Sequence, residues 1–253
     1  MSLHYTVEGR GPKIILAHAL GCDISMWDAV TEDLAKDFCV VRFDHLGHGK
    51  SPAISGEVTI EQLADAVAGL IGDTCNAPCL YAGVSMGAMV GMDIAIRYPS
   101  LCRGMVLANT THYYEDFART AWQERIETVM QSGMSAIADM PIARWLSKDF
   151  LVQQPNEAAR LKSCLLNMRA ESYAACCHAV AHIDFRARLR NIVLPVTIIA
   201  GTQDVATPPQ LSKFLHQAIT HSDIAFLEAG HISAVERPYE FSNVIRKMHA
   251  SIA

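Results

Sequence analysis

The stretch "YAGVSMGAMVG", Tyr81 to Gly91, sets one serine, Ser85, between Gly83 and Gly87, where an apolar strand gives way to an apolar helix. A tight strand-to-helix turn strains the backbone of its central residue. It also lifts that residue above the carboxyl ends of the strands, where open α/β sheets bind ligands. Side chains on either side would collide with the strand, and glycine removes the collision. G-x-S-x-G alone recurs by chance, and an incidental serine in a glycine-lined turn is the bland alternative. Between a strand and a helix it predicts an exposed nucleophile.

A serine hydroxyl is a poor nucleophile without a base. With this turn, the base comes last in the chain and its orienting acid before it. His231 in "LEAGHISAVERP" fits. Of eleven histidines it alone follows a strand candidate and lies downstream of a suitable acid. His216, His221 and His249 read as solvated surface. Asp204 in "AGTQDVATPP" is the candidate acid, fixing the imidazole tautomer and stabilising the imidazolium. The other place for an acid, after "GMVLAN", offers only Asn109 and threonines. Two backbone N–H groups would form an oxyanion hole: that of Met86, after the nucleophile, and that of Leu20 in "HALG". His18 reads as a loop organiser.

Other constellations are weaker. His178 and His182 in "CCHAVAH" stand one helical turn apart, near Cys177 and Asp184, without a complete ligand set, so no metal is expected. The sequence has no G-x-G-x-x-G and no P-loop, and no cofactor is expected.

These residues need a scaffold that alternates strands and helices. "LHYTVEG" (Leu3 to Gly9) alternates and predicts an edge strand. "KIILAH" (Lys13 to His18), "CVVRFD" (Cys39 to Asp44), "CLYAGV" and "GMVLAN" (Gly104 to Asn109) are short apolar runs of the kind buried on both faces of a parallel sheet. Ser25–Lys36 has helical spacing, with Trp27, Val30 and Leu34 on one side. Thr59 is a candidate N-cap for the helix in "IEQLADAVAGLIG". The helix Ser85–Tyr98 is apolar nearly all round, its methionines acting as core filler. From Thr110 to about Arg190 the pattern is helical and more polar, too long for a crossover, and predicts an inserted lobe. Strands resume at "VTIIAG" (Val196 to Gly201) and "IAFLEAG" (Ile224 to Gly230), and a last helix follows Pro238. The expectation is an α/β fold. Its core spans 1–109 and 191–253, with a mostly parallel, doubly wound sheet. A helical cap spans 110–190.

Length and composition agree. The chain has 253 residues and is 51% hydrophobic, enough for one large domain with a sizeable core. A net charge of -5 argues against nucleic acid or an anionic membrane as partner, and requires a local cation for any anionic substrate. The N-terminal "MSLHYTVEGRGPK" lacks the pattern of a signal peptide, and no apolar run approaches a membrane span. Eight cysteines without a C-x-x-C spacing read as small buried hydrophobes, Cys39, Cys79 and Cys102 among them, in a reducing cytoplasm. A homo-oligomer is left open.

The sequence resembles the α/β-hydrolase superfamily in "GVSMG", "FDHLGHGKS", "GTQD" and "AGHIS". Within it the chain is similar to the 3-oxoadipate enol-lactonases in "VLANTTHYYEDFARTAWQERIETVMQSGM", "YAACCHAVAHIDFRARLRNI", "IIAGTQDVATPP" and "HISAVERP". Two stretches depart from that family. Its N-S-L-G is "HALG" here, which keeps the donor at Leu20. Its D-x-R-G-H-G is "DHLGHG", with Leu46 in place of a cation.

The resemblance implies an α/β-hydrolase fold and hydrolysis of 3-oxoadipate enol-lactone to 3-oxoadipate, through an acyl-enzyme and without metal or organic cofactor. The implied small-molecule lactone carries a carboxylate. For that group the lobe offers Arg144, beside Trp145, whose ring could cover the lactone, and Arg125, one helical turn after Trp122. Packing is the stronger reading of Arg125, and solvation is an equal reading of Arg144. The same triad also suits a broad carboxylesterase, another lactonase, a cofactor-free perhydrolase or a non-catalytic receptor on this fold.

Overall fold

The computed structural model describes residues 2–252. Met1 and Ala253, the ends of the expected core, lie outside the described residues. Seven strands form one sheet: β1 (Tyr5–Glu8), β2 (Lys13–Ala17), β3 (Cys39–Phe43), β4 (Cys79–Val84), β5 (Cys102–Ala108), β6 (Val196–Gly201) and β7 (Ser222–Leu227). Their order is β1-β3-β2-β4-β5-β6-β7, and only β1 runs antiparallel to its neighbour. Central β4 is buried along its whole length, as a parallel strand covered on both faces must be. Edge strands β1 and β7 are mostly exposed or half-buried, with only Leu227 of β7 buried.

Eleven helices follow among the described residues: α1 (Asp28–Leu34), α2 (Ile60–Thr74), α3 (Met86–Arg97), α4 (Asp116–Ser132), α5 (Asp139–Trp145), α6 (Lys148–Gln153), α7 (Pro155–Leu166), α8 (Ala170–Ala181), α9 (Pro209–Ala218), α10 (Ser233–Glu236) and α11 (Pro238–Ser251). Thr59 caps α2 in a capping box with Gln62, and proline opens α11. Helix α3 packs on β4 and β5 beside α2, while α1 packs with α11. Met86, Met89 and Met92 are fully buried in the core. Helices α4 to α8 all lie between β5 and β6. The neck of this insert is closed by an isolated bridge between Tyr113 and Asp184 and by Phe185 N–H donating to the His112 carbonyl at 2.8 Å.

Several boundaries differ from expectation. The helix predicted over Ser25–Lys36 is a 3-10 turn, Ile24–Trp27, followed by the shorter α1. Trp27, Val30 and Leu34 are nonetheless all buried. Strand β5 starts two residues before Gly104 and ends before Asn109, and β7 ends at Leu227 rather than Gly230. Cys39 is half-buried rather than buried: as the first residue of β3 it lies one step beyond the β1 pairing, which ends at Val40, and has only Lys13 of β2 beside it in the sheet. His216 and His249 are half-buried, not free surface. His216 Nδ1 lies 2.9 Å from Ser222 Oγ, and His249 packs edge-on against Phe38. No helix among the described residues is long and apolar enough to cross a membrane.

Candidate active site

Ser85 sits at φ 54, a left-handed conformation rare for a side-chain-bearing residue. The turn is held by Ser85 N–H donating to the Ala108 carbonyl at 2.9 Å and Thr110 Oγ1 donating to the Ser85 carbonyl at 3.1 Å. A Cβ on Gly83 would fall 2.5 Å from the Gly87 carbonyl, and one on Gly87 would strike the Ala17 carbonyl. Both glycines are therefore needed where β4 turns into α3. Ser85 Oγ makes no hydrogen bond among the described residues, and Ser85 lines a cavity of about 430 Å³ that His231 also lines.

Behind His231 lies Asp204. Its Oδ2 is 2.8 Å from His231 Nδ1. A carboxylate can only accept, so the proton sits on Nδ1 and Nε2 is left bare as a base. Asp204 Oδ1 accepts from the backbone N–H groups of Ala206 and Thr207, both at 2.8 Å. Oδ2 also accepts from Thr207 Oγ1 at 2.7 Å and from Asn109 Nδ2 at 3.0 Å. Burial pushes the Asp204 carboxyl up, but the electrostatic pairing with His231 and the hydrogen bonds from His231 and Thr207 outweigh it and hold the group below the ordinary carboxylate value.

Ala19 and Leu20 line the same cavity. The N–H groups of Leu20 and Met86 donate to no backbone acceptor among the described residues, leaving them available to an oxyanion. The Leu20 loop is held by histidines. His48 Nε2 accepts from Gly21 N–H at 3.1 Å, and His18 Nε2 accepts from His45 N–H at 3.0 Å. His18 Nδ1 meets the Ala19 carbonyl at 2.8 Å, so His18 organises the loop as expected. Burial lowers the basicity of all three histidines, that of His48 to about 3. Leu46 packs against the core, and its carbonyl accepts from Cys176 Sγ at 3.6 Å.

The insert forms the cavity's other walls. Trp122 and Arg125 come from α4, Arg144 and Trp145 from α5, and Tyr173 from α8. Arg125 is half-buried and stacks on Trp122 with its guanidinium carbon 4.8 Å from the ring centroid. Its nitrogens reach Met140 Sδ at 3.0 Å and Tyr173 Oη at 3.5 Å. Arg144 is exposed and, among the described residues, reaches only the Val205 carbonyl, at 3.4 Å. Neither arginine meets a carboxylate within 4.0 Å among the described residues. Burial pushes the Tyr114 hydroxyl at the cavity wall up to about 12, so it stays protonated.

His178 and His182 stack with centroids 4.1 Å apart, each with Nδ1 on a backbone carbonyl, and lie apart from the cavity. No group of three or more His, Cys, Asp or Glu converges on a metal position among the described residues. The sequence did not single out Thr207 or Glu236. Thr207 had a local signal, since an Asp three residues before a Thr commonly caps the intervening turn. Glu236 had none.

A seven-stranded, mostly parallel sheet carrying a nucleophile turn, a histidine and an acid in this chain order defines a class. Residues 12–238 match the α/β-hydrolase fold family, and the chain belongs to it. It is a hydrolase of this family. It is 33% identical to 3-oxoadipate enol-lactonase 2 of Acinetobacter baylyi over 97% of this chain and 92% of that enzyme. The crystal structure of the enol-lactonase from Burkholderia xenovorans LB400 superposes with TM-score 0.93 at 33% identity, covering 98% of this chain and 96% of that one. A thermophilic esterase from Thermogutta terrifontis, solved with malate bound, superposes with TM-score 0.93 at 26% identity over 99% of this chain and 93% of that one.

Proposed function

We propose that the protein opens the ring of 3-oxoadipate enol-lactone to give 3-oxoadipate through an acyl-enzyme on Ser85. The observation that carries this reading is one cavity in which Ser85 and an Asp204-backed His231 face two arginines that have no carboxylate partner among the described residues. The likeness to two enol-lactonases adds the substrate class.

His231 Nε2 takes the Ser85 hydroxyl proton as Oγ attacks the lactone carbonyl. The N–H groups of Leu20 and Met86 hold the developing oxyanion. Collapse breaks the ring carbon–oxygen bond, and His231 returns the proton to the departing enol oxygen. The enol tautomerises to the ketone. Water, deprotonated by His231, then attacks the acyl carbon and releases Ser85 and a dicarboxylate. Arg125 is the better anchor for the substrate carboxylate, because a half-buried cation against an aromatic face loses less to solvent than exposed Arg144. The Trp145 ring shields the lactone from bulk water.

The test is a steady-state comparison of the enol-lactone with 4-nitrophenyl acetate. The proposal expects kcat/KM for the lactone to exceed that for the ester by about a hundredfold or more. Comparable values would favour the second reading, a broad carboxylesterase, to which the likeness to the Thermogutta esterase points.

A further inference from the structure

Asn109 joins the two loops that supply the acid and the base. It stands one residue past β5, fully buried, at φ 49. Asparagine is among the few side chains that tolerate this region. Its Nδ2 donates to Asp204 Oδ2 at 3.0 Å and to the Gly230 carbonyl at 3.2 Å. Both oxygens can only accept, so the amide orientation is forced. At the other end Ser233 Oγ donates to Asn109 Oδ1 at 2.6 Å. Room for the amide comes from Gly201, where a Cβ would lie 2.7 Å from Nδ2.

We propose that Asn109 is a positioning residue of the hydrolytic site, holding the Asp204 carboxylate and the His231 loop in register and moderating the charge on the Asp204 oxygen that faces His231. This rests on reading Ser85, His231 and Asp204 as the triad. The Asp204 oxygen bonded to Asn109 is the one bonded to His231 Nδ1. A donor there spreads the carboxylate's charge and weakens its hold on an imidazolium. Removing the donor makes Asp204 a stronger partner and His231 more basic. The free base then appears only at higher pH. The other titratable or charged groups around the pair are Glu236 on α10, Arg125 on α4, Arg144 on α5, Tyr173 on α8, and Tyr113, Tyr114 and Glu115 ahead of α4. None of them changes in the variants below.

Asn109→Gly removes the amide at a position where glycine carries no backbone strain. Ser233→Ala leaves the amide but frees its far end. The His231 imidazole is titrated by NMR in histidine-labelled protein, and the pH profile of kcat/KM is measured beside it. The titration of His231 in Asn109→Gly should move up by about half a pH unit or more, with the acid limb of kcat/KM following it. Plateau kcat should fall about tenfold with KM little changed. Ser233→Ala should shift both in the same direction by less. An unmoved His231 titration in either folded variant overturns the proposal, as does a rate lowered equally at every pH. The NMR titration needs no substrate. A protein that fails to open the lactone would therefore refute the proposed function without touching this result.

Discussion

Ser147 donates twice to Glu236: its backbone N–H to Oε1 at 2.8 Å and its hydroxyl to Oε2 at 2.6 Å. The same Oε1 accepts from Gly230 N–H at 3.0 Å, next to His231. Ile232 N–H meanwhile donates to the Trp145 carbonyl at 3.0 Å. One buried carboxylate thus ties the end of α5, which carries Arg144 and Trp145, to the loop that carries His231. The approach is so close that a Cβ on Gly230 would come within 2.8 Å of Glu236 Oε1, Ser147 N and the Trp145 carbonyl.

Glu236→Ala should therefore destabilise the protein. It leaves two buried N–H groups without an acceptor, at a cost of about 3 kcal/mol in total. Glu236→Gln keeps an oxygen for both N–H groups and should cost less than about 1 kcal/mol. Urea unfolding of the two variants checks this. Equal losses would mean that the charge, not the hydrogen bonding, holds the corner.

Ser85→Ala should abolish turnover while leaving the fold intact. Alanine at the same positive φ inherits the serine's backbone strain and keeps the Gly83–Gly87 packing, so only the nucleophile is lost. The fall should be about a thousandfold or more in kcat. A folded Ser85→Ala that retains a tenth of the wild-type rate would show that the nucleophile lies elsewhere.

The strained turn at Ser85 was legible because its signals are local: glycine two residues either side of Ser85, an apolar strand before it and an apolar helix after it. Asp204 and His231 were legible from chain order and from their positions after strands. The roles around them were not. Asn109 could be named as the only polar residue at the other acid position besides threonines, but its partners are 95, 121 and 124 residues away. Glu236 meets Ser147 across 89 residues. Sequence spacing cannot report such meetings, because tertiary packing alone creates them. The relative weight of Arg125 and Arg144 fails for the same reason. Helical spacing puts Arg125 beside Trp122, yet only the packed insert turns both toward the cavity.

Stability should fall as pH drops below neutrality, and His45 should carry part of the loss. His18, His45 and His48 are buried with folded pKa values below the ordinary 6.5. The unfolded chain therefore binds more protons than the folded one below about pH 6.5, and stability declines from there toward the folded value, about 3 for His48. Asp204, held below the usual carboxylate value, adds to the loss only below about pH 4. Both ring nitrogens of His45 are buried without partners among the described residues, and its ring centroid lies 4.8 Å from that of Phe43. His45→Leu forfeits no side-chain hydrogen bond and removes one titrating group. Between pH 6.5 and 5 it should lose about 1.5 kcal/mol less than the wild type. Urea unfolding at the two pH values checks this, and parallel pH dependences would place the proton uptake elsewhere.

On the proposed lactonase reading, the substrate carboxylate should be held by Arg125 more than by Arg144. The protein carries a net charge of -5, so the proposed anionic lactone and its dianionic product would need a local cation. Arg125 is half-buried in the cavity wall, stacked on Trp122, and touched otherwise only by the weak acceptors Met140 Sδ and Tyr173 Oη. Its guanidinium is oriented before substrate arrives, and no carboxylate competes for it among the described residues. Arg144 is exposed, and water screens what it offers. Losing a charge-assisted bidentate pair costs about 2 kcal/mol, or roughly thirtyfold in kcat/KM. Arg125→Met should therefore lower kcat/KM for the enol-lactone by that factor and spare 4-nitrophenyl acetate, which has no carboxylate to bind. Arg144→Met should lower it less than about fivefold. If Arg125→Met impairs both substrates equally, Arg125 serves packing against Trp122. If Arg144→Met alone is selective, the exposed arginine is the anchor, and α5 must close over the cavity when substrate binds.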